Sequence, residues 1–156
     1  MSYHVCYNAG LKTCEQLGSR SLNATIKLTV ECQGLYDITH KVVEVVDQFG
    51  VNEGLVTLFS RHTSASLLIQ ENADPSAKRD LENWLNRLVP ENDPIYTHTT
   101  EGPDDMPAHI KAALTATTLS IPLVAGRLAL GTWQGVFHWE HRHLPGQREI
   151  VVNVVS

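Results

Sequence analysis

From Asn23 to Glu31 apolar and polar residues alternate without a break, with Ala24, Ile26, Leu28 and Val30 on one side and Thr25, Lys27, Thr29 and Glu31 on the other. Side chains of an extended chain point to opposite faces with a period of two, so this stretch is a strand with one buried face. Helical spacing follows at once. Asp37 can cap a helix over Ile38–Phe49, whose apolar positions Ile38, Val42, Val45, Val46 and Phe49 recur until Gly50 stops it. Gly54–Phe59 is the next strand and runs into Arg61-His62-Thr63-Ser64-Ala65-Ser66. Asp74-Pro75 then opens an amphipathic helix over Ser76–Leu88, with Leu81, Trp84, Leu85 and Leu88 turned inward.

From Val89 to Asp105 the chain has three prolines and no period, and a connection of that length is read as functional. Asp104 and Asp105 place negative charge at the start of a short helix that has Pro107 in its first turn and runs to about Thr115. The remainder is strand: Ser120–Val124, Leu128–Leu130, Val136–Glu140 and Glu149–Val155, with turns at Ala125-Gly126-Arg127 and Pro145-Gly146. Helices early and hairpin-linked strands late predict an α+β fold, a compact single domain with largely antiparallel sheet and about three helices. Residues 1–20 show no period and read as a lead-in to a domain over 21–156.

Charge narrows the partners. The net charge is −5, and the stretch from Glu71 to Asp105 alone holds nine acids against three bases, or −6. Such a surface repels a phosphate backbone, so nucleic acid is excluded as a partner and a cation is favoured. No apolar run is long enough to cross a bilayer and no export signal is visible, which predicts a cytoplasmic protein without membrane association. Cys6, Cys14 and Cys32 lack C-x-x-C spacing and are expected to be reduced thiols.

Of eight histidines, His62 lies just past a strand end, His98 in the long loop and His109 in the first turn of the third helix. Neutral imidazoles from three separate elements beside a carboxylate suit Zn²⁺, Mn²⁺ or Fe²⁺, so His62, His98 and His109 are the expected ligands. Thr63, Ser64 and Ser66 supply hydroxyls next to His62, near a helix N-terminus that can bind phosphate. A serine hydrolase is disfavoured because there is no G-x-S-x-G elbow, and no nucleotide-binding glycine motif is present. His138, His141 and His143 form a second cluster around Glu140, expected at a half-exposed strand end. Gly131-Thr132-Trp133-Gln134-Gly135 reads as a tight turn that a ligand or another subunit can approach closely.

The ordered series His62-Thr63-Ser64, Glu71-Asn72-Ala73-Asp74-Pro75, His98-Thr99, Gly102-Pro103-Asp104-Asp105-Met106-Pro107-Ala108-His109-Ile110-Lys111, Gly126-Arg127-Leu128, Leu130-Gly131-Thr132-Trp133-Gln134 and Glu140-His141-Arg142 resembles the YjbQ family. The resemblance implies a compact α+β domain with mixed, largely antiparallel sheet that forms a homotrimer with polar pockets near its subunit boundaries. It also implies a weak, secondary thiamine-phosphate synthase activity beside an unassigned primary role. In that reaction hydroxymethylpyrimidine diphosphate loses pyrophosphate and a thiazole phosphate nitrogen attacks the resulting carbon. Carried over by position, the pocket residues are His62, His98, Asp104, Asp105 and His109, with Thr132, Trp133, Gln134 and Glu140 as lining. Asp104 and Asp105 would hold Mg²⁺, and His62, Lys111 and Arg127 would meet phosphate oxygens. The alternatives are a metal-dependent hydrolase of a small phosphorylated or acylated molecule and a trimeric binding protein without turnover.

Overall fold

A computed structural model describes residues 20–156, so the expected lead-in lies, but for Arg20, outside the described residues, as do Cys6 and Cys14. Cys32 is a free, exposed thiol. Eleven elements follow in the order β1 (Ser21–Val30), β2 (Gly34–Asp37), α1 (Thr39–Phe49), β3 (Gly54–Ser60), β4 (Ala65–Glu71), α2 (Pro75–Leu88), α3 (Asp105–Leu114), β5 (Thr118–Val124), β6 (Arg127–Leu128), β7 (Gln134–Glu140) and β8 (Gly146–Val155). They make a five-stranded sheet, β1-β8-β3-β5-β6, and a three-stranded sheet, β2-β7-β4, with every pairing antiparallel. This is the α+β class with three helices that the pattern predicts.

The alternation in β1 does what its period requires. Ile26, Leu28 and Val30 are buried and join Val56 and Leu58 of β3, Ile150, Val152 and Val154 of β8, and Val42 and Val46 of α1 in one core. Burying each such side chain contributes on the order of 1.5–3 kcal/mol. Leu55 of β3, Val124 of β5 and Val155 of β8 stand exposed on the five-stranded sheet. A second, smaller core of Leu35, Leu85, Val89, Phe137 and Trp139 seats α2 against the three-stranded sheet.

Several local expectations change. Asp37 steadies the start of α1 from one residue before the N-cap: its carboxylate accepts from the Thr39 N–H at 2.9 Å, and the helix starts at Thr39, one residue later than its pattern suggests. Strands β2 and β4 carry no alternation because β2 is short and β4 is covered on both faces at its start, where Ala65, Ser66 and Leu67 are all buried. On α2, Leu85 is buried while Trp84 and Leu88 are each 53% exposed, because the helix docks on the small sheet along one narrow line. The β5–β6 turn places Ala125 at φ 50° and Gly126 at φ 75°, the left-handed pair of a tight hairpin. Among the described residues no helix is long and apolar enough to cross a membrane.

Candidate functional site

Asp105 opens α3 and His109 follows it one helical turn later, so the two side chains share a face. The long loop brings His98 to the same place. Nε2 of His98 lies 2.8 Å from Asp105 Oδ2, and Nε2 of His109 lies 3.6 Å from Asp105 Oδ1. The two imidazoles are 5.4 Å apart and tilted by 52°. Each of the three residues offers one donor atom, all within 4.8 Å of one another.

Two features of this group concern its hydrogens. Nδ1 of His109 lies 3.1 Å from the Thr63 carbonyl oxygen, which can only accept, so the ring proton sits on Nδ1. In the neutral ring Nε2 then presents a lone pair toward a carboxylate oxygen. Asp105 Oδ2 is buried and has no aligned donor among the described residues, although the His98 ring stands beside it. Converging lone pairs of this kind repel one another and suit a shared cation. Two imidazoles and a carboxylate fit Zn²⁺, Mn²⁺ or Fe²⁺ better than Mg²⁺, which takes oxygen ligands.

Arg142 fixes the acidic side of the group. Its Nε donates to Asp104 Oδ2 at 3.0 Å, its Nη1 to Asp105 Oδ1, and its Nη2 to the Glu101 carbonyl at 2.8 Å. The His143 N–H also donates to Asp104 Oδ2, at 2.9 Å. Burial by itself would raise the Asp104 carboxyl, but these two donors outweigh it and hold the group below the ordinary carboxylate range. Asp104 is therefore joined to Arg142 and the His143 amide, while Asp105 faces the histidines.

His62 stands apart from that group. Its Nε2 accepts from the Glu149 N–H at 3.0 Å. Because Nε2 accepts, the ring proton sits on Nδ1, and burial, then Arg148 and His138, lowers the pKa of the ring. His62 and His109 nevertheless line one cavity of about 610 Å³, which lies between the end of β3 and α3. His98 borders a second cleft, of about 370 Å³, with Tyr96, Thr99 and Met106. Thr63 and Ser64 contribute backbone carbonyls here, to His109 and to the His141 amide.

Glu140 has no free oxygen to offer a ligand. It is fully buried, with Arg148 donating to Oε2 at 2.5 Å and to Oε1 at 3.1 Å, and with the Arg142 N–H on Oε1 at 3.0 Å. Burial works to raise its pKa, yet His138 at 3.5 Å, Arg148 and that amide bring it down to about 2. The expected half-exposed strand end is thus a buried one: β7 is the central strand of its sheet, and His138, Glu140 and His141 are covered on both faces. The Lys111 ammonium is also buried and donates to Asn86 Oδ1 at 2.6 Å, while Arg127 sits on the edge strand β6. Neither lines the cavity, so neither is placed to meet a phosphate there.

Trp133 and Gln134 line a separate cleft with Glu71, at the far end of β7. Gln134 pairs with Glu71 and Glu140 with Ala65, six residues along the strand and about 20 Å away at its rise. Within one chain the loop carrying Thr132, Trp133 and Gln134 does not join Glu140. The sequence singles out Ser66, His141 and Arg142 but not their partners: Ser66 Oγ and His141 Nε2 are 3.0 Å apart and buried, and Arg142 bridges Asp104 and Asp105.

The family described as UPF0047 protein YjbQ-like matches residues 24–156. A UPF0047 protein of Synechocystis is 57% identical over 129 residues, covering 81% of this chain and 88% of that protein. The UPF0047 protein YjbQ of Salmonella typhimurium is 40% identical over 131 residues, covering 83% and 94%. A crystal structure of a YjbQ/UPF0047 family protein from Clostridium acetobutylicum superposes with a TM-score of 0.74 at 36% identity, covering 85% of this chain and 98% of that one. Matched by the family model over residues 24–156 and 57% identical to a relative over 81% of its length, the chain belongs to the YjbQ (UPF0047) family.

Proposed function

We propose that His98, Asp105 and His109 bind a divalent transition metal and that the site acts on a small phosphorylated molecule. The observation that carries this reading is the His109 tautomer: the Thr63 carbonyl holds the proton on Nδ1 and turns the Nε2 lone pair toward Asp105. A metal-binding histidine has its other ring nitrogen fixed in this manner, by a carbonyl or carboxylate behind it. When bound, the ion would supply charge neutralisation at a phosphate or diphosphate oxygen. The chain's own residues orient the ligands: Arg142 steadies Asp105, Thr63 steadies His109, and the long loop delivers His98.

The thiamine-phosphate synthase step belongs to this proposal as a weak activity. Two phosphorylated substrates call for free cations, and the arginines at hand are already paired, Arg61 with Glu149 and Arg142 with Asp104 and Asp105. That shortage also favours a second reading, a metal-dependent hydrolase of one small phosphorylated or acylated molecule, which uses the same ligands and needs fewer charges. Leu55, Val124 and Val155, exposed on the five-stranded sheet among the described residues, support assembly as a homotrimer.

Elemental analysis of untagged protein after exhaustive dialysis, beside His109→Ala, tests the reading. About one transition-metal ion per chain, lost in the variant, is expected for a site with two imidazole ligands. Wild-type protein that takes up no metal from a Zn²⁺, Mn²⁺ or Fe²⁺ solution sinks it.

A further inference from the structure

The turn that leads into β7 is a rigid mount for one exposed aromatic ring. The Gly131 N–H donates to Gln134 Oε1 at 2.8 Å and the Gln134 N–H donates to the Gly131 carbonyl at 3.0 Å, so the turn closes on itself. The Asn72 N–H donates to the Trp133 carbonyl at 3.0 Å and ties the turn to the end of β4. Three hydrogen bonds thus fix the backbone around Trp133, yet its side chain is 65% exposed. An indole stabilises a fold by being buried, and this one is held in the open instead.

Beside the ring lies a cleft of about 410 Å³, lined by Trp133 with Ile69, Gln70, Glu71, Ala73 and Gln134. That volume is enough for one small molecule. Glu71 and Gln134 are register partners in the β4–β7 pair, so their side chains stand next to each other on one face of the sheet. Both glutamine carbonyls are occupied within the chain, Gln134 Oε1 by the Gly131 N–H and Gln70 Oε1 by the Glu71 N–H at 2.9 Å. What the two carboxamides offer a ligand is therefore N–H. Of the described residues that line the cleft, Glu71 alone is charged, and its carboxylate has no ion-pair or hydrogen-bond partner among the described residues.

We propose that this cleft binds a small free ammonium that carries a hydroxyl, with its cationic head between the Trp133 ring and the Glu71 carboxylate and its oxygen accepting from a glutamine carboxamide. The negative face of an aromatic ring attracts a cation, tryptophan most strongly, and the Glu71 charge adds to that attraction. A phosphate or carboxylate would meet an acid here and no compensating base. The cleft lies at the opposite end of β7 from Glu140, about 20 Å away at the rise of a strand, so the inference does not rest on the metal reading.

Choline and 3,3-dimethylbutan-1-ol test it, since they match in shape and hydroxyl and differ in charge. Each is titrated into the full chain with ionic strength held by sodium chloride, and followed through the Trp133 indole and the Glu71 and Gln134 amide resonances. Choline is expected to bind with a Kd on the order of 1–10 mM, the range open to so small a ligand. It should bind about tenfold more tightly than the alcohol, the combined effect of the ring and the carboxylate. Glu71→Gln is expected to reduce that difference to about threefold, and Trp133→Ala to abolish binding while keeping the wild-type urea midpoint. Equal binding of the two probes, shifts confined to other residues, or no shift with choline at about 100 mM overturns the inference. Sedimentation of the chain with phosphatidylcholine vesicles, which present the same headgroup on a surface, overturns the assignment to a free ligand. Metal content is measured separately, so failure of either reading leaves the other untouched.

Discussion

Nδ1 of His109 lies 3.1 Å from the carbonyl oxygen of Thr63, and this contact sets which ring nitrogen can face Asp105. Thr63 follows β3 and His109 lies in α3, so the tertiary fold, not the local sequence, chooses the tautomer. His109 is about one-third exposed, and cutting it back to alanine removes the proposed ligand with little loss of packing. His109→Ala is expected to lower metal affinity at least about 100-fold while changing stability by less than about 1 kcal/mol. Chelator competition reads the first and urea denaturation the second. A variant that keeps wild-type metal affinity would show that Nε2 is not a ligand.

Arg142 spans Asp104 and Asp105 with two different nitrogens, an arrangement a lysine cannot reproduce. Arg142→Lys is expected to lose on the order of 2–4 kcal/mol, because two adjacent carboxylates that are nearly buried lose half of their compensation. It should also loosen Asp105 and weaken metal binding about 10- to 100-fold. Arg142→Met should be worse on both counts. Equal stability of the lysine variant and wild type in urea would refute the clamp.

Acid should unfold the protein in two stages, and the signs follow from the two buried groups. His141 is pushed down to about 3 by burial and by Lys111, below its ordinary 6.5. The unfolded chain therefore takes up a proton below pH 6.5 that the folded chain refuses, and stability falls from pH 6.5 toward 3 by up to about 1.4 kcal/mol per pH unit. Glu140, held at about 2 against an ordinary 4.5, adds a second loss that begins below pH 4.5. Urea midpoints from pH 7 to 4 should decline throughout, and His141→Gln should flatten the part between 6.5 and 4.5. A wild-type midpoint constant between pH 6.5 and 5 would contradict the buried neutral ring.

How much of this could be read from the residues depends on which interactions are local. The β1 alternation, the Asp74-Pro75 helix start and the Asp105–His109 spacing are dictated by neighbours in the chain, and each appears in the structure. Of the expected ligands His62, His98 and His109, the structure brings His98 and His109 together with Asp105, while His62 Nε2 is taken by the Glu149 N–H. What the sequence hides is pairing across distance. Nothing near His62 reveals that Glu149 will occupy its Nε2, and nothing in β7 reveals that β2 and β4 will flank it and bury Glu140. Lys111 reads as a phosphate-binding cation because its charge is visible and its burial is not. Family membership is legible over residues 24–156 without those pairings being derived.

The buried position of Lys111 makes a last prediction that separates structure from function. Its ammonium donates to Asn86 Oδ1 at 2.6 Å, and Asn86 in turn donates to Gln33 Oε1 at 3.0 Å, so the chain of bonds ties α3 to α2 and to the β1–β2 connection. Burial lowers the Lys111 pKa, which means that the charged form is held at a cost even with Glu91 and Asp104 nearby. Replacing it with methionine removes that cost along with one charged hydrogen bond, and Asn86 is exposed, so its freed oxygen can turn to water and no buried acceptor is left unpaired. Lys111→Met is therefore expected to match or exceed wild-type stability in urea and to leave both metal content and phosphate-ester binding unchanged. If the ammonium instead served a phosphate, the same variant would stay folded and lose phosphate-ester affinity, and isothermal titration of the folded variant distinguishes the two.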